Sequence, residues 1–435
     1  MSDADLAGLI DRHEAFLRCG EVDRPLVGCW IGGYYPAEQF PLGSSSLVKG
    51  KRLRPEDVRF SPFAQDYEAL FQAHRACDDD FFYVASAYWG IPWLEAILGC
   101  PVVVAEANCR AESLCADVNE AAEIIENGSD WEGMEARLGP ACMGATPEPR
   151  PSGLLSAATR VDSNPWMDAL LRFTRDLVEF ADGRFPVCAP LLRGAGDAAA
   201  AVLGGTEFVT GMLDEPEAMK TLLGRLAQIR AMILARLGEV LPPWRGTYAA
   251  GGYPSKIWSR CTVAYYQEDC AALLSPTLFR EFLLPPAREA CGAAEINFVH
   301  LHSACLYPVG VLLEERVFDV IEINIDHRGS GPPVPELIPT FREIQAAHVP
   351  LLLWGECTRE EWELICRELS PVGLSLQPML SPQSARDESR ALCDRCRGYG
   401  GRVDPKLDSV TPPASGCGDR QPQLSRKRRR SKGSL

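Results

Sequence analysis

The densest group of histidines in this sequence is His300 and His302, two of only six in 435 residues. They flank Leu301 at the end of a short apolar run, and a strand there would place both imidazoles on one face. Imidazoles bind metal ions and transfer protons near neutral pH. The spacing therefore predicts a metal-binding or proton-transfer site centred on His302.

Carboxylates and thiols follow other predicted strands at equivalent positions. The carboxyl ends of strands in a (β/α)₈ barrel meet at one rim, which would bring these groups to the histidines. The candidate catalytic residues are His302, Asp269, Asp326 and Glu356, and the candidate ligands of an optional Zn²⁺ are His302, Cys305 and Cys357. Two alternatives stay open: a site without metal, in which one histidine donates to a backbone carbonyl and the other binds a substrate oxygen, and a solvated Asp269 at a helix start.

A cation follows the predicted strand at 186–192. Arg193 is a candidate for binding a substrate carboxylate, and the alternative is an ion pair with Asp197. The neighbouring glycines do not form a dinucleotide fingerprint, and neither a Walker motif nor a serine-hydrolase elbow occurs in the sequence. A phosphate-binding loop and serine-hydrolase chemistry are therefore not indicated.

The elements that must position these groups alternate along residues 1–384. Short β-rich runs and longer amphipathic stretches follow one another for about 350 residues without a break in composition, which predicts an α/β fold built as a single (β/α)₈ barrel. The predicted strands are 26–31, 101–105, 186–192, 296–301, 318–325, 350–354 and 373–377. The predicted helices are 66–77, 165–181, 215–240, 276–291, 334–347 and 358–369.

Composition limits the class of protein. The chain carries 59 acidic and 44 basic side chains, for a net charge of −15, which disfavours binding of nucleic acid by the main domain. The apolar runs are too short for a membrane span, and the N-terminus does not resemble a secretory signal, so we expect a cytoplasmic protein. The 17 cysteines show no framework spacing, and most of them are expected to be reduced, buried hydrophobic residues.

The last 51 residues, 385–435, differ in composition from the rest. They hold 13 basic and 6 acidic side chains with frequent Pro, Ser and Gly, which predicts a disordered basic tail. The run at 426–430 resembles a polyanion-binding or nuclear-localisation cluster, although a solvated basic terminus with no receptor is the preferred explanation. Cys393 and Cys396 have metal or redox spacing, but a second pair is missing, so a structural zinc is not expected there.

Several segments, in order along residues 20–385, resemble the uroporphyrinogen decarboxylase superfamily. They are residues 90–100, 189–194, 267–269 with 274–276, 282–285, 300–303 and 350–356. The resemblance implies a distorted (β/α)₈ barrel with one of two activities. One is cofactor-free decarboxylation of a tetrapyrrole, for which the family uses an arginine-rich N-terminal loop and an aspartate. The other is methyl transfer between a corrinoid and a thiol, for which it uses a zinc held by a His-x-Cys pair and a later cysteine.

The sequence departs from both patterns. The loop at 30–36, which includes Tyr35, has no arginine, and the His-x-Cys pair is replaced by His302-Ser-Ala, with Cys305 one place late. The later cysteine would lie near Gln377. Since unneutralised substrate carboxylates are costly to bury, tetrapyrrole decarboxylation is disfavoured.

We therefore expect methyl transfer that involves a corrinoid, free or on a partner protein, or a related small molecule. Uroporphyrinogen decarboxylation is the first alternative, and a non-catalytic barrel that binds a tetrapyrrole or corrinoid is the second. By the same resemblance, the expected substrate contacts are His300, Arg193, Tyr35, Trp93 and Gln377.

Overall fold

The computed structural model describes residues 3–77, 79–127, 161–250, 257–326, 330–381 and 384–399. Its strands are β1 (Leu26–Val27), β2 (Trp30–Ile31), β3 (Arg52–Leu53), β4 (Ala85–Ser86), β5 (Val102–Val104), β6 (Cys109–Ala111), β7 (Val187–Cys188), β8 (Tyr248–Ala250), β9 (Ile257–Ser259), β10 (Val263–Gln267), β11 (Ile296–His302), β12 (Val320–Ile325), β13 (Leu351–Gly355) and β14 (Leu374–Leu380).

Helices connect and cover these strands. They are α1 (Asp3–Leu17), α2 (Pro36–Gln39), α3 (Pro41–Ser45), α4 (Ala64–Arg75), α5 (Trp93–Leu98), α6 (Val118–Asn127), α7 (Pro165–Ala181), α8 (Ala195–Leu203), α9 (Gly205–Asp214), α10 (Pro216–Gly238), α11 (Pro276–Leu278), α12 (Leu284–Ala290), α13 (Pro308–Glu315), α14 (Val334–Ala346), α15 (Arg359–Glu368) and α16 (Ala385–Tyr399). Short 3₁₀ turns lie at Pro55–Asp57, Ser61–Phe63, Asp269–Leu273 and Cys291–Ala293, and a π turn, Phe279–Leu283, joins α11 to α12.

A parallel sheet forms the centre of the fold. Its strands lie in the order β1, β14, β13, β12, β11 and β10, with β2 also paired to β14. The remaining described strands form a parallel pair, β4–β7, and two antiparallel groups, β3–β5–β6 and β8–β9. The prediction of a parallel α/β fold is confirmed.

Hydrogen bonds do not close the described strands into the expected eight-stranded barrel. β4 and β7, with two residues each, pair with each other and with neither end of the large sheet. Each end strand of the large sheet instead accepts a single hydrogen bond from a residue near this pair. The Asp80 N–H, before β4, donates to the Val27 carbonyl of β1 at 2.8 Å, and the Gly194 N–H, after β7, donates to the Gln267 carbonyl of β10 at 2.7 Å.

Most predicted elements lie close to their expected places. The strands β11 to β14 and the helix α7 were predicted from buried apolar runs and helical periodicity, and they are observed. The expected strand at 26–31 is divided into β1 and β2, and the one at 186–192 is reduced to β7. The predicted helix 276–291 contains the π turn, since Pro285 and Pro286 have no N–H to continue the α-helical pattern.

The two faces of the central sheet differ in character. On the outer face, residues such as Leu301, Ile323 and Leu353 pack among the helices in the main hydrophobic core. On the inner face, Phe298 and Leu352 belong to a second apolar cluster. Because side chains alternate along a strand, the inner face also carries the histidines of β11.

The C-terminal segment differs from the prediction of a disordered tail. Residues 385–399 form α16, in which Leu392, Cys393 and Cys396 are buried against the core. Their apolar stripe on the helix is narrow and is surrounded by charged residues, so the composition of the segment did not predict a packed helix. Residues 400–435, with the basic run at 426–430, lie outside the described residues.

Within the described ranges no helix has the length and apolar character needed to cross a bilayer. The cysteines that the structure describes are all free thiols.

Candidate active site

His300 and His302 lie on the inner face of β11, near its carboxyl end. Val299 and Leu301 pack into the core on the outer face, which fixes the alternation. In the parallel register His300 is opposite Glu322 of β12. His300 is buried, whereas the side chain of His302 is 30% exposed. The two imidazoles share one face, as the sequence predicted.

A carboxylate orients each of these histidines through its Nδ1 atom. His300 Nδ1 lies 2.8 Å from Glu322 Oε1, and His302 Nδ1 lies 2.6 Å from Asp326 Oδ1. Ionised carboxylates only accept hydrogen bonds, so both Nδ1 atoms carry the proton and donate it. The two Nε2 atoms are then left as lone-pair donors, and they face each other at 3.2 Å. Facing lone pairs repel unless a proton or a metal ion lies between them.

The charges around His302 favour a cation. Burial alone would raise the pKa of Asp326, but hydrogen bonds from His302, the Ala304 N–H and the Ser303 hydroxyl lower it. Burial lowers the pKa of His302, and the hydrogen bond to Asp326 together with the charge of Asp269 outweighs burial and raises it. A positive charge on or beside His302 is therefore stabilised.

Asp269 joins the histidines from the neighbouring strand end. It follows β10, and its Oδ1 lies 3.6 Å from His302 Nε2. The Tyr265 hydroxyl donates to Gln267 Oε1 at 2.8 Å, and Gln267 Nε2 donates to Asp269 Oδ2 at 2.5 Å, so this chain of bonds orients the carboxylate. One ligand atom from each of Asp269, His300 and His302 lies within 4.8 Å of the others.

An aromatic wall, formed by Trp30, Tyr34 and Trp354, stands beside the histidines. The indoles of Trp30 and Trp354 stack with centroids 4.4 Å apart and planes 4° from parallel. Tyr34 stacks on Trp354 at 6.0 Å, and the His300 ring lies 6.0 Å from Trp354. Tyr35, a predicted substrate contact, is 48% exposed and packs edge-on against Tyr34. The two indoles are 4% and 5% exposed, so they form a buried wall of the site, whereas Tyr34 is half-buried.

Arg193 brings positive charge to the Asp269 side of the site. Its guanidinium lies 3.5 Å from the buried carboxylate of Glu95, and its side chain is 43% exposed. The charge of Glu95 raises the pKa of Arg193, and Asp197 and Asp269 act in the same direction against burial. Its closest carboxylate is thus Glu95 rather than the expected Asp197, and its exposed part remains accessible to an anionic substrate.

Trp93 is not a substrate contact. The residue is fully buried, and its indole N–H donates to the Tyr88 carbonyl at 3.0 Å. Its ring contacts Trp166 and Phe173 in the core. The reason is local, because every residue of α5 is buried and the helix offers no face to a pocket.

The metal-ligand set predicted from the sequence is not brought together. Cys305 and Cys357 are half-buried and Glu356 is exposed, in the loops beyond β11 and β13, where the alternation that aligns the histidines no longer applies. Gln377 is buried on the inner face of β14, in register with Trp354. Among the described residues, three groups of potential ligands converge: Asp269–His300–His302, Asp197–Glu268–Cys270 and Cys29–Cys77–Asp79.

Glu322, Gln267 and the aromatic wall were not anticipated. A signal for Glu322 was present, since it is the one charged residue in the buried strand β12. Its pairing with His300 depends on the register between strands, which the sequence did not reveal.

Two imidazoles and one carboxylate that converge with a solvent-accessible side can hold a divalent metal ion or share a proton. Comparisons with protein-family models and with curated proteins give no match, so the resemblance to the uroporphyrinogen decarboxylase superfamily stays a prediction.

Proposed function

We propose that this protein is a metal-dependent methyltransferase whose metal is held by His300, His302 and Asp269. The observation that carries the proposal is the 3.2 Å separation of the two Nε2 atoms while both Nδ1 atoms are bonded to carboxylates. Two zinc–nitrogen bonds of about 2.05 Å at a tetrahedral angle would separate the nitrogens by about 3.3 Å. The separation of the two Nε2 atoms therefore supports a metal ion bound by both imidazoles.

The surroundings of these three residues also fit a metal. Histidine ligands commonly donate their second N–H to a carboxylate, which fixes the ring and strengthens the ligand. Glu322 and Asp326 occupy those positions, and Gln267 orients Asp269. Three protein ligands with an open fourth position are typical of catalytic rather than structural zinc sites.

A metal bound there would supply Lewis-acid activation of a thiol at neutral pH. In the proposed transfer, a thiolate sulfur forms a new bond to the methyl carbon, the cobalt–carbon bond of a methylated corrinoid breaks, and its electron pair stays on cobalt. The thiol proton leaves to solvent. Tyr34, the half-buried member of the aromatic wall, offers its ring to one reactant, and Arg193 offers a cation to an anionic acceptor.

Access to the site supports a large donor. The side chains of His302 and Asp269 are 30% and 43% exposed, so the site has the opening to solvent that a corrinoid donor, free or carried by a partner protein, requires. We infer that the central sheet and the β4–β7 pair together form the distorted barrel expected from the resemblance, with this site at the carboxyl ends of its strands.

Metal content and methyl transfer test the proposal together. The purified chain should contain about one zinc or comparable ion at this site, and it should demethylate methylcobalamin in the presence of a thiol, as followed by the cobalamin spectrum. His300→Ala and His302→Ala should remove both the metal and the activity, whereas Cys305→Ser should keep both.

Other outcomes would support other functions. Turnover of uroporphyrinogen by metal-free protein would indicate the decarboxylase instead. Tight binding of a corrinoid without transfer to any of a panel of thiols would indicate a binding protein.

A further inference from the structure

Cys29, Cys77 and Asp79 form a second cluster of potential ligands. One atom from each, the two sulfurs and a carboxylate oxygen, lies within 4.8 Å of the others. Cys29 lies between β1 and β2, whereas Cys77 and Asp79 follow α4. Two distant segments of the chain thus place two thiols and a carboxylate together, and none of these residues belongs to the histidine site.

One side of this cluster is apolar and the other is open to water. Cys29 is buried at 3% exposure with Ala385 of α16, and Cys77 packs against them. Cys77 and Asp79 are both half-buried. The Asp79 Oδ1 atom accepts a hydrogen bond from the Phe81 N–H at 3.1 Å, which fixes the direction of the carboxylate.

The adjacent carboxylate, Asp80, has a separate structural role. Arg24 forms a bidentate ion pair with it, and the Val27 N–H donates to it at 2.8 Å. Asp80 is therefore occupied by the ion pair, and Asp79 is the carboxylate directed to the thiols.

We propose that Cys29, Cys77 and Asp79 bind a zinc ion, with water as the fourth ligand. Thiolate sulfur and carboxylate oxygen are normal ligands of zinc, and the half-buried side of the cluster admits the water. In the metal-free arrangement the hydrogen bond with Cys77 raises the pKa of Cys29, and burial and the charge of Asp79 add to this. A divalent cation reverses this balance, because it stabilises the thiolates and releases their protons. The ion would tie the loop after α4 to β1, beside the start of α16.

Cobalt(II) distinguishes this site from the histidine site. The probe is Co²⁺ added to the full-length chain after chelation and reduction of its thiols. Thiolate coordination produces a sulfur-to-cobalt charge-transfer band in the near ultraviolet. The histidine site cannot produce this band, because His300, His302 and Asp269 contain no sulfur. We expect this band in the wild-type protein, its loss in Cys77→Ser, and at least about tenfold weaker Co²⁺ binding in Asp79→Asn.

Matched variants make the result decisive. Cys115→Ser replaces another half-buried cysteine outside the three ligand groups and should keep the band. The His300→Ala/His302→Ala protein should also keep it, so that failure of the proposed methyltransferase would not remove this signal. The zinc proposal is overturned if the reduced wild type binds Co²⁺ without the band, or if the band survives in Cys77→Ser. Asp79→Asn, which leaves both thiols in place, decides the matter if Cys77→Ser does not fold.

Discussion

Glu268 and Asp197 each accept hydrogen bonds from backbone N–H groups in the segment that carries the other. The Glu268 carboxylate accepts hydrogen bonds from the N–H groups of Gly196 and Asp197, at 3.1 and 2.9 Å, in the first turn of α8. The Asp197 carboxylate in turn accepts from the N–H groups of Asp269 and Cys270, at 3.1 and 2.7 Å. This exchange fixes the backbone of Asp269 relative to α8, and so it positions a proposed metal ligand from a second part of the chain.

Glu268→Gln should destabilise the protein more than Asp197→Asn. All the groups bonded to Glu268 are donors, including the Tyr266 hydroxyl, so an amide NH₂ at this position would face another donor. An unsatisfied buried group of this kind costs about 1–3 kcal/mol of unfolding free energy. Asn at 197 keeps an oxygen for Cys270, and its NH₂ faces one donor, the Asp269 N–H, whereas each oxygen of Glu268 accepts from two donors. Chemical denaturation measures both variants, and equal losses would contradict the donor count.

Glu322→Gln and Asp326→Asn should weaken metal binding without removing a ligand. Each variant replaces a carboxylate that accepts the Nδ1 proton of a histidine, so the ring loses orientation and basicity. Such substitutions typically reduce metal affinity about 10- to 100-fold. Competition with a chromogenic chelator measures the affinity, with Cys305→Ser as the unchanged control. An affinity equal to that of the wild type in both carboxylate variants would contradict the assignment of the histidines as metal ligands.

The inner face of β11 was predictable, whereas its partners were not. Alternation along a short buried strand was enough to place His300 and His302 together. The carboxylate of Glu322 reaches His300 only through the register between β11 and β12, and register depends on packing across the whole sheet. The loops beyond the strands follow no such period, which is why Cys305 and Cys357 were wrongly grouped with His302 as ligands of one metal ion.

Whether the sheet closes into a barrel also could not be predicted from the sequence. The apolar runs at β11 to β14 predict parallel strands, and these are present. Whether β4 and β7 complete a barrel depends on a few hydrogen bonds between two-residue strands, and no sequence pattern marks bonds of that kind.

Trp93→Phe should reduce stability and leave substrate binding unchanged. The substitution removes the bond to the Tyr88 carbonyl and leaves space between Trp166 and Phe173, at a cost of about 2–4 kcal/mol. Tyr35→Phe, at an exposed ring near the aromatic wall, should change stability by about 0.5 kcal/mol or less. Thermal unfolding compares the two variants, and a Trp93→Phe protein as stable as the wild type would contradict the structural role of this indole.

Leu392→Ala should destabilise the protein by about 2–5 kcal/mol, because Leu392 of α16 is 3% exposed and packs in the main core. Arg386→Ala, on the exposed side of the same helix, is the matched control and should change stability little. Urea denaturation of the full-length chain compares them. Similar small effects in both variants would mean that α16 does not contribute to the core and that the segment behaves as the tail predicted from composition.

The buried His13 should make the protein less stable in mild acid. Burial lowers the pKa of His13 from 6.5 to about 4, and its Nε2 atom lies 2.9 Å from the Asp80 carbonyl, to which it donates as a neutral ring. Between these two pKa values the unfolded chain binds a proton that the folded chain does not. The free energy of unfolding therefore falls as the pH decreases from about 6.5 to about 4, with a contribution of at most about 3 kcal/mol from this residue.

His13→Gln isolates this contribution from that of the carboxylates. The amide can still donate to the Asp80 carbonyl but does not titrate, so the variant should lose less stability than the wild type between pH 7 and pH 4.5, whatever its stability at pH 7. The measurement is the urea midpoint at both pH values, converted to free energy with the measured slope. Because the unfolded wild type takes up a proton at this position that the folded wild type does not, and the variant has no titrating group there, the wild-type curve of stability against pH must fall more steeply than that of the variant. Parallel curves would show that folded His13 takes up its proton over the same pH range as in the unfolded chain, and the burial of a neutral ring bonded to Asp80 would then be wrong.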